Sequence, residues 1–210
     1  MAKLKAPLMS LGASGQLGKA LVFFPWKGLD VVREYVVPSN PKTALQLAQR
    51  ALVTAAVAKI HELQAKAAPV FDAEDVTAYS LWGSIFATPR TWFNQAVKNW
   101  IDVEVAGKSP IIYFNGQETQ TTATDARMKI YRGEKTLDTL VAAKIHLGVS
   151  KTNLIQTRDL TVIAGYELVI GAGDQFTGLT VGQKYYWQCR PVAADPAEGA
   201  YSGIYSFVAT

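Results

Sequence analysis

Cysteine and histidine are nearly missing from this chain, and their scarcity removes much of the chemistry a small protein can carry. Cys189 is the only cysteine, so no disulfide framework and no thiolate metal site can be assembled from it. A lone thiol of this kind belongs by default in the core. His61 and His146 are the only histidines, and neither has a carboxylate or cysteine at ligand spacing. The sequence therefore predicts no metal. One thiol and two imidazoles also make no nucleophile–base pair, so the chain reads as a non-enzyme without a cofactor.

Long hydrophobic runs are missing too. No stretch approaches the length that spans a bilayer, which predicts no membrane contact. Met1 to Ser14 carries Lys3 and Lys5 but lacks the continuous apolar stretch of a signal peptide; the expectation is folding in a cytoplasm. Charge of one sign is scarce overall, with 21 basic against 17 acidic side chains and a net charge of +4. That balance does not by itself argue for nucleic acid. The first fifty residues are different. Lys3, Lys5, Lys19, Lys27, Arg33, Lys42 and Arg50 stand against Asp30 and Glu34, so 7 − 2 = +5, while the remainder is 14 − 15 = −1. Such a segment suits an acidic protein surface and leaves contact with packaged DNA open; a solvated basic face explains it equally well.

What is present is enough apolar material for one or two cores: 49% hydrophobic residues against 18% charged, over 210 residues. Lys19–Trp26 (KALVFFPW) and Leu29–Val37 (LDVVREYVV) are rich in β-branched and aromatic residues and read as a hairpin turning at Lys27-Gly28. Pro25 suggests an edge or a bulge. Neither strand has a clean polar face, so the hairpin needs cover on both sides. Thr43 and Gln46 form a capping-box pattern that opens a helix. Leu45, Ala48, Leu52, Ala56, Ile60, Leu63 and Ala67 mark its predicted buried face. A second helix is expected from Asp72 to about Phe86, with Glu74 and Asp75 in its first turn. A third is expected from Thr88-Pro89 to about Ile101.

The pattern changes near Gly107 to alternation with period two. Ala126, Met128 and Ile130 face one way, as do Ala143, Ile145 and Leu147; Tyr166, Leu168 and Ile170; and Tyr185, Trp187 and Cys189. Tyr205 and Phe207 close the chain. Short strands separated by turn signals indicate an antiparallel β-sandwich. The fold class is α+β: an N-terminal β-hairpin plus about three helices over residues 1–107, followed by a β-sandwich over 108–210.

Several segments resemble known families. Lys144–Ser150 is similar to the third strand and turn of fibronectin type III domains. Leu179-Thr-Val-Gly-Gln-Lys-Tyr185 resembles their tyrosine corner, with Val181 where proline is usual. Tyr186–Arg190 and Tyr201–Phe207 resemble the family's sixth and last strands, and Pro191 should end or bulge the former. The resemblance covers about half the chain and implies a fibronectin III/Ig-like sandwich. It implies that the Tyr185 hydroxyl ties its strand back to the preceding loop, beside a core Trp187. A fold of this kind hosts many functions. The N-terminal string from Gly12 to Arg50 (spaced glycines, Trp26-Lys27-Gly28, Val32-Arg33, then Asn40-Pro41-x-Thr43-x-x-Gln46-x-x-x-Arg50) resembles small uncharacterised proteins of phages and prophages, often found beside genes for head or tail parts. That resemblance implies a virion structural protein made in the host cytoplasm.

Other readings weigh less. Gly12–Lys19 superficially resembles a phosphate loop, but Ala13 and Ala20 stand where Gly and Ser or Thr are required. Trp82, Trp92 and Trp100 at helical spacing read as core. The first functional expectation is a capsid decoration or cement protein, with the head surface or major capsid protein as partner. Phe23, Phe24, Trp26, Lys27, Arg33 and Tyr35 are the docking residues. The alternatives are a neck or tail component, and a carbohydrate-binding or adhesion module using Tyr186, Tyr201 and Tyr205. Self-association is left open.

Overall fold

The computed structural model describes residues 3–4, 13–37, 39–134, 140–163, 166–171 and 173–210. Gly12, Pro38 and the start of the N-terminal arm lie outside the described residues. By internal contacts the chain forms two compact units, Met1–Ala44 and Leu45–Thr210.

The first unit is an antiparallel sheet of β1 (Lys3–Leu4), β2 (Ala13–Leu17), β3 (Leu21–Trp26) and β4 (Leu29–Glu34), in that order across the sheet. Lys27 and Gly28 both take positive φ, 51° and 81°. Two such residues make the mirror-image turn whose twist matches that of the strands it joins. Trp26 therefore pairs directly with Leu29, and the register runs unbroken to Leu21 opposite Glu34. Pro25 lies beyond the stretch of β3 that pairs with β2, which is limited to Leu21–Phe23. Its missing N–H thus removes no ladder bond.

The second unit is built from α1 (Ala44–Gln64), α2 (Ala73–Gly83) and α3 (Trp92–Val105), followed by β5 (Ile111–Thr122), β6 (Asp125–Glu134), β7 (Ala143–Gly148), β8 (Gln156–Ile163), β9 (Glu167–Val169), β10 (Lys184–Pro191) and β11 (Tyr205–Val208). All strand pairs are antiparallel, in the order β11-β10-β7-β8-β9-β6-β5. Strand β8 is shared. Gln156–Leu160 pairs with β7 and Thr161–Ile163 with β9, so it links a β5-β6-β9 layer to a β11-β10-β7-β8 layer. The alternating residues of both layers meet in one core: Met128, Ile130 and Leu168 with Ile145, Leu147, Trp187, Cys189 and Phe207. The chain is thus α+β, with a hairpin sheet, three helices among the described residues, and an antiparallel sandwich.

A second cluster lies on the other face of β5. Ile112 and Phe114 contribute there with Ile60, Leu63, Phe71, Tyr79, Trp82, Ala96 and Trp100 from the helical region. Strand β5 is therefore buried on both faces, which explains why Ile111-Ile-Tyr-Phe114 is continuously apolar rather than alternating. Gly203 lets α2 approach the sandwich. A Cβ there would lie 2.7–2.8 Å from Ala78 and the backbone of Tyr79, and the Ile204 N–H donates to the Ala78 carbonyl at 2.9 Å. The change of pattern at Gly107 falls inside this unit, at the left-handed residue (φ 71°) that follows α3.

Two helix expectations need correction. The third helix begins at Trp92, not at Pro89: the Thr91 hydroxyl caps it by accepting from the Asn94 N–H at 3.3 Å. Helix α1 starts at Ala44, next to Thr43, and Gln46 is its third residue, the two capping-box positions. Its predicted buried face is only half realised. Ala56, Ile60 and Leu63 are buried, while Ala48 is exposed and Leu45 is 85% exposed. The cluster that covers α1 begins at Ala56, so the first three turns have no neighbour in that core.

Candidate partner-docking surface

Alternation along β3 and β4 divides the expected docking residues between two faces. Val22, Phe24 and Trp26 share a face with Leu29, Val31 and Arg33, because these residues are paired across the ladder. Leu21, Phe23 and Val32 share the opposite face with Leu17, which pairs with Leu21. The structure therefore brings Phe24, Trp26 and Arg33 together and turns Phe23 away from them. The Arg33 guanidinium lies over the Phe24 ring at 5.1 Å, an arrangement that keeps the charge at the edge of an apolar strip. Lys27 is exposed at the turn. Tyr35 is half-buried, and its N–H donates to the Ala20 carbonyl at 2.8 Å, extending the ladder by one pair.

The apolar side chains of this sheet have little cover. Phe23 is its one buried hydrophobic among the described residues. Trp26 is 59% exposed, Leu29 68%, Val32 45% and Leu17 43%. Such a sheet gains too little burial to offset the entropy of ordering its own backbone. Leu17, Leu21, Leu29 and Val32 belong to the surface as much as the aromatics do, and the lack of a polar face in the sequence was the signal for them.

The sandwich residues occupy different ground. The Tyr185 hydroxyl accepts from the Thr180 N–H at 2.9 Å, and its ring stacks on Phe207 at 5.8 Å. Trp187 is fully buried and stacks on Tyr205 at 4.5 Å. Tyr185→Phe is expected to destabilise the protein by roughly 1 kcal/mol in denaturant unfolding, because the Thr180 N–H loses its acceptor. Tyr186→Phe should cost less, since it keeps the ring packing; equal losses would mean that the Thr180 bond contributes nothing.

The three tyrosines expected to form a sugar-binding face do not form one. Tyr205 is buried, its hydroxyl donating to Asp75 Oδ1 at 2.6 Å. Tyr186 and Tyr201 are half-buried against the helix-side cluster, because β10 is covered on that face as well. A groove of about 370 Å³ does run past Trp82, Phe86 and Tyr201. Its charged side chains are engaged with neighbours: Arg90 with Gln95, Lys98 with Asp102, and Glu198 with Lys108.

Sequence reasoning also passed over Asp75. It reads as an ordinary residue of a helix start, yet it is fully buried. Its Oδ2 accepts from the Asp72 N–H at 3.0 Å, and its Oδ1 accepts from the Asn115 N–H at 2.8 Å as well as from Tyr205. It joins α2 to β5 and β11 and is a structural group.

No protein-family model matches the chain, and no curated protein matches it. No helix among the described residues is long and apolar enough to cross a membrane.

Proposed function

We propose that this chain is a structural protein of a bacteriophage particle, a capsid decoration protein whose N-terminal sheet anchors it to another virion protein. The observation that carries the docking role is the four-stranded sheet in which, among the described residues, Phe23 is the one buried apolar side chain, while Trp26, Leu29 and Val32 are exposed on its two faces. A surface of this kind is stable when a second protein covers it. Lys19, Lys27 and Arg33 beside it favour an acidic partner and salt-sensitive assembly. The phage assignment rests on the resemblance of the motif string from Gly12 to Arg50. The layer order and the Tyr185–Thr180 bond support a fibronectin type III-like sandwich in the second unit.

Quantitative mass spectrometry of purified particles tests this. A head-surface protein is expected at on the order of hundreds of copies per particle, as icosahedral shells require; about six or twelve copies would place it at the neck or tail instead. Absence from particles would remove the virion role altogether.

A further inference from the structure

The sheet of the first unit ends at β4, and the geometry of that edge narrows down what covers it. Among the described residues β4 has one strand neighbour, β3. In an antiparallel ladder every second residue bonds to the neighbour and the others point outward. Tyr35 bonds to Ala20, and a two-residue turn makes Trp26 and Leu29 a bonded pair. The odd-numbered residues of β4 therefore bond to β3, and the N–H and C=O groups of Asp30, Val32 and Glu34 are directed to the open edge.

Natural edges are blunted by proline, bulges or charged side chains, lysine above all. Strand β4 has no proline, no lysine and no bulge over its six pairs with β3; its charges are Asp30, Arg33 and Glu34, and the Arg33 guanidinium lies over the Phe24 ring. It is a regular template with three outward donor–acceptor pairs, and its neighbours on one face, Trp26 and Leu29, are exposed. On the docking reading above, we infer that β4 accepts a strand from its partner by edge-to-edge addition. The incoming strand carries apolar residues beside Leu29 and Val31 and an acidic residue beside Arg33.

A second copy of this chain is the obvious alternative occupant, and the register disfavours it. Antiparallel self-pairing through the outward groups sets even-numbered residues opposite even-numbered ones. Arg33 then faces Leu29, Val31 or Arg33 of the copy, none of them acidic, and one register sets Asp30 against Glu34. Like charges directly opposite destabilise a sheet, and a cation without a counter-charge gains nothing from pairing. The occupant that completes the edge is a different chain.

The test uses the full-length protein and particles assembled without it. Val32→Pro removes one outward N–H and leaves the bonds to β3 intact. It is expected to keep the far-UV circular dichroism of the parent and to lower retention on particles at least tenfold. Hydrogen exchange on the unsubstituted protein gives a second readout that does not depend on how the proline variant folds: amides of residues 30–34 slow down on binding. Trp26→Asp with Leu29→Asp serves as the control for face docking. If the Asp pair abolishes binding while Val32→Pro binds normally and exchange over 30–34 is unchanged, strand addition is wrong and face docking stands. If neither variant affects binding, the docking role of this sheet is wrong as well. A dimer of the isolated protein that Val32→Pro dissociates would assign the edge to a second copy and overturn the inference.

Discussion

A chain lacking residues 1–43 is expected to fold and to be absent from particles. The second compact unit, Leu45–Thr210, holds both buried clusters and every strand of the sandwich. Phe23 is the one buried apolar side chain that the described part of the deleted segment contributes. The truncated protein should therefore show cooperative thermal unfolding close to that of the full chain. Incorporation should fall to background, because the exposed apolar strips of β3 and β4 and the open edge go with the deletion. Copy number in particles grown with the truncated gene is the measurement. Normal incorporation would move the anchor elsewhere, first of all to the exposed opening turns of α1, where Leu45 is 85% and Leu47 49% exposed.

Stability should fall by about 2 kcal/mol, through Asp75 alone, as pH rises from about 4 to 7. Burial raises the Asp75 carboxyl from its ordinary value of 3.8 to about 6; the bonds from Tyr205, Asn115 and Asp72 oppose the rise without cancelling it. The folded state then holds a proton that the unfolded chain has released. A group of this kind contributes its full stability below the unfolded value near 4 and loses it as pH climbs through 6. Denaturant unfolding of the parent and of Asp75→Asn across that range isolates the effect, since all other titrating groups are common to both. The gap between the two proteins should narrow or reverse as pH rises. Parallel curves would mean that the carboxyl ionises at its ordinary value and that the three hydrogen bonds outweigh its burial.

Much of the fold was legible because local chemistry repeats at the period of the element it builds. Lys27-Gly28 announced a tight turn, Thr43 and Gln46 marked the start of α1, and the alternation in β6, β7 and β9 named their buried faces correctly; in β10 Tyr185, Trp187 and Cys189 are buried as expected but Gln188 on the opposite face is buried too, and in β11 Tyr205, expected among the exposed aromatics, is buried. Strands β1, β2, β5 and β8 were not legible; the glycines around β2 read as turn residues. In β5, Ile111–Phe114 is buried on two sides and Asn115–Thr122 is mostly polar, so no single period runs through it. In β8 the two halves serve different layers. The start of the third helix was misplaced because Pro89 and Thr91 both carry start signals; the structure uses the Thr91 hydroxyl.

Residue order fixes the local character of this protein: a basic, two-faced apolar hairpin, three helix-forming stretches and an alternating C-terminal half, with a single thiol and two imidazoles. Those properties are local, set by each residue and its near neighbours. The tertiary structure alone decided which side chains stayed exposed. Leu45 and Ile60 belong to one helical stripe, yet only Ile60 meets a core. Asp75 looks like a solvent-facing cap until residues 40 and 130 positions away close on it. Strand β4 is recognisable as a strand from its residues, but whether it is central or an open edge depends on which strands lie beside it. Burial and neighbourhood are properties of distant segments brought together, and no local period encodes them.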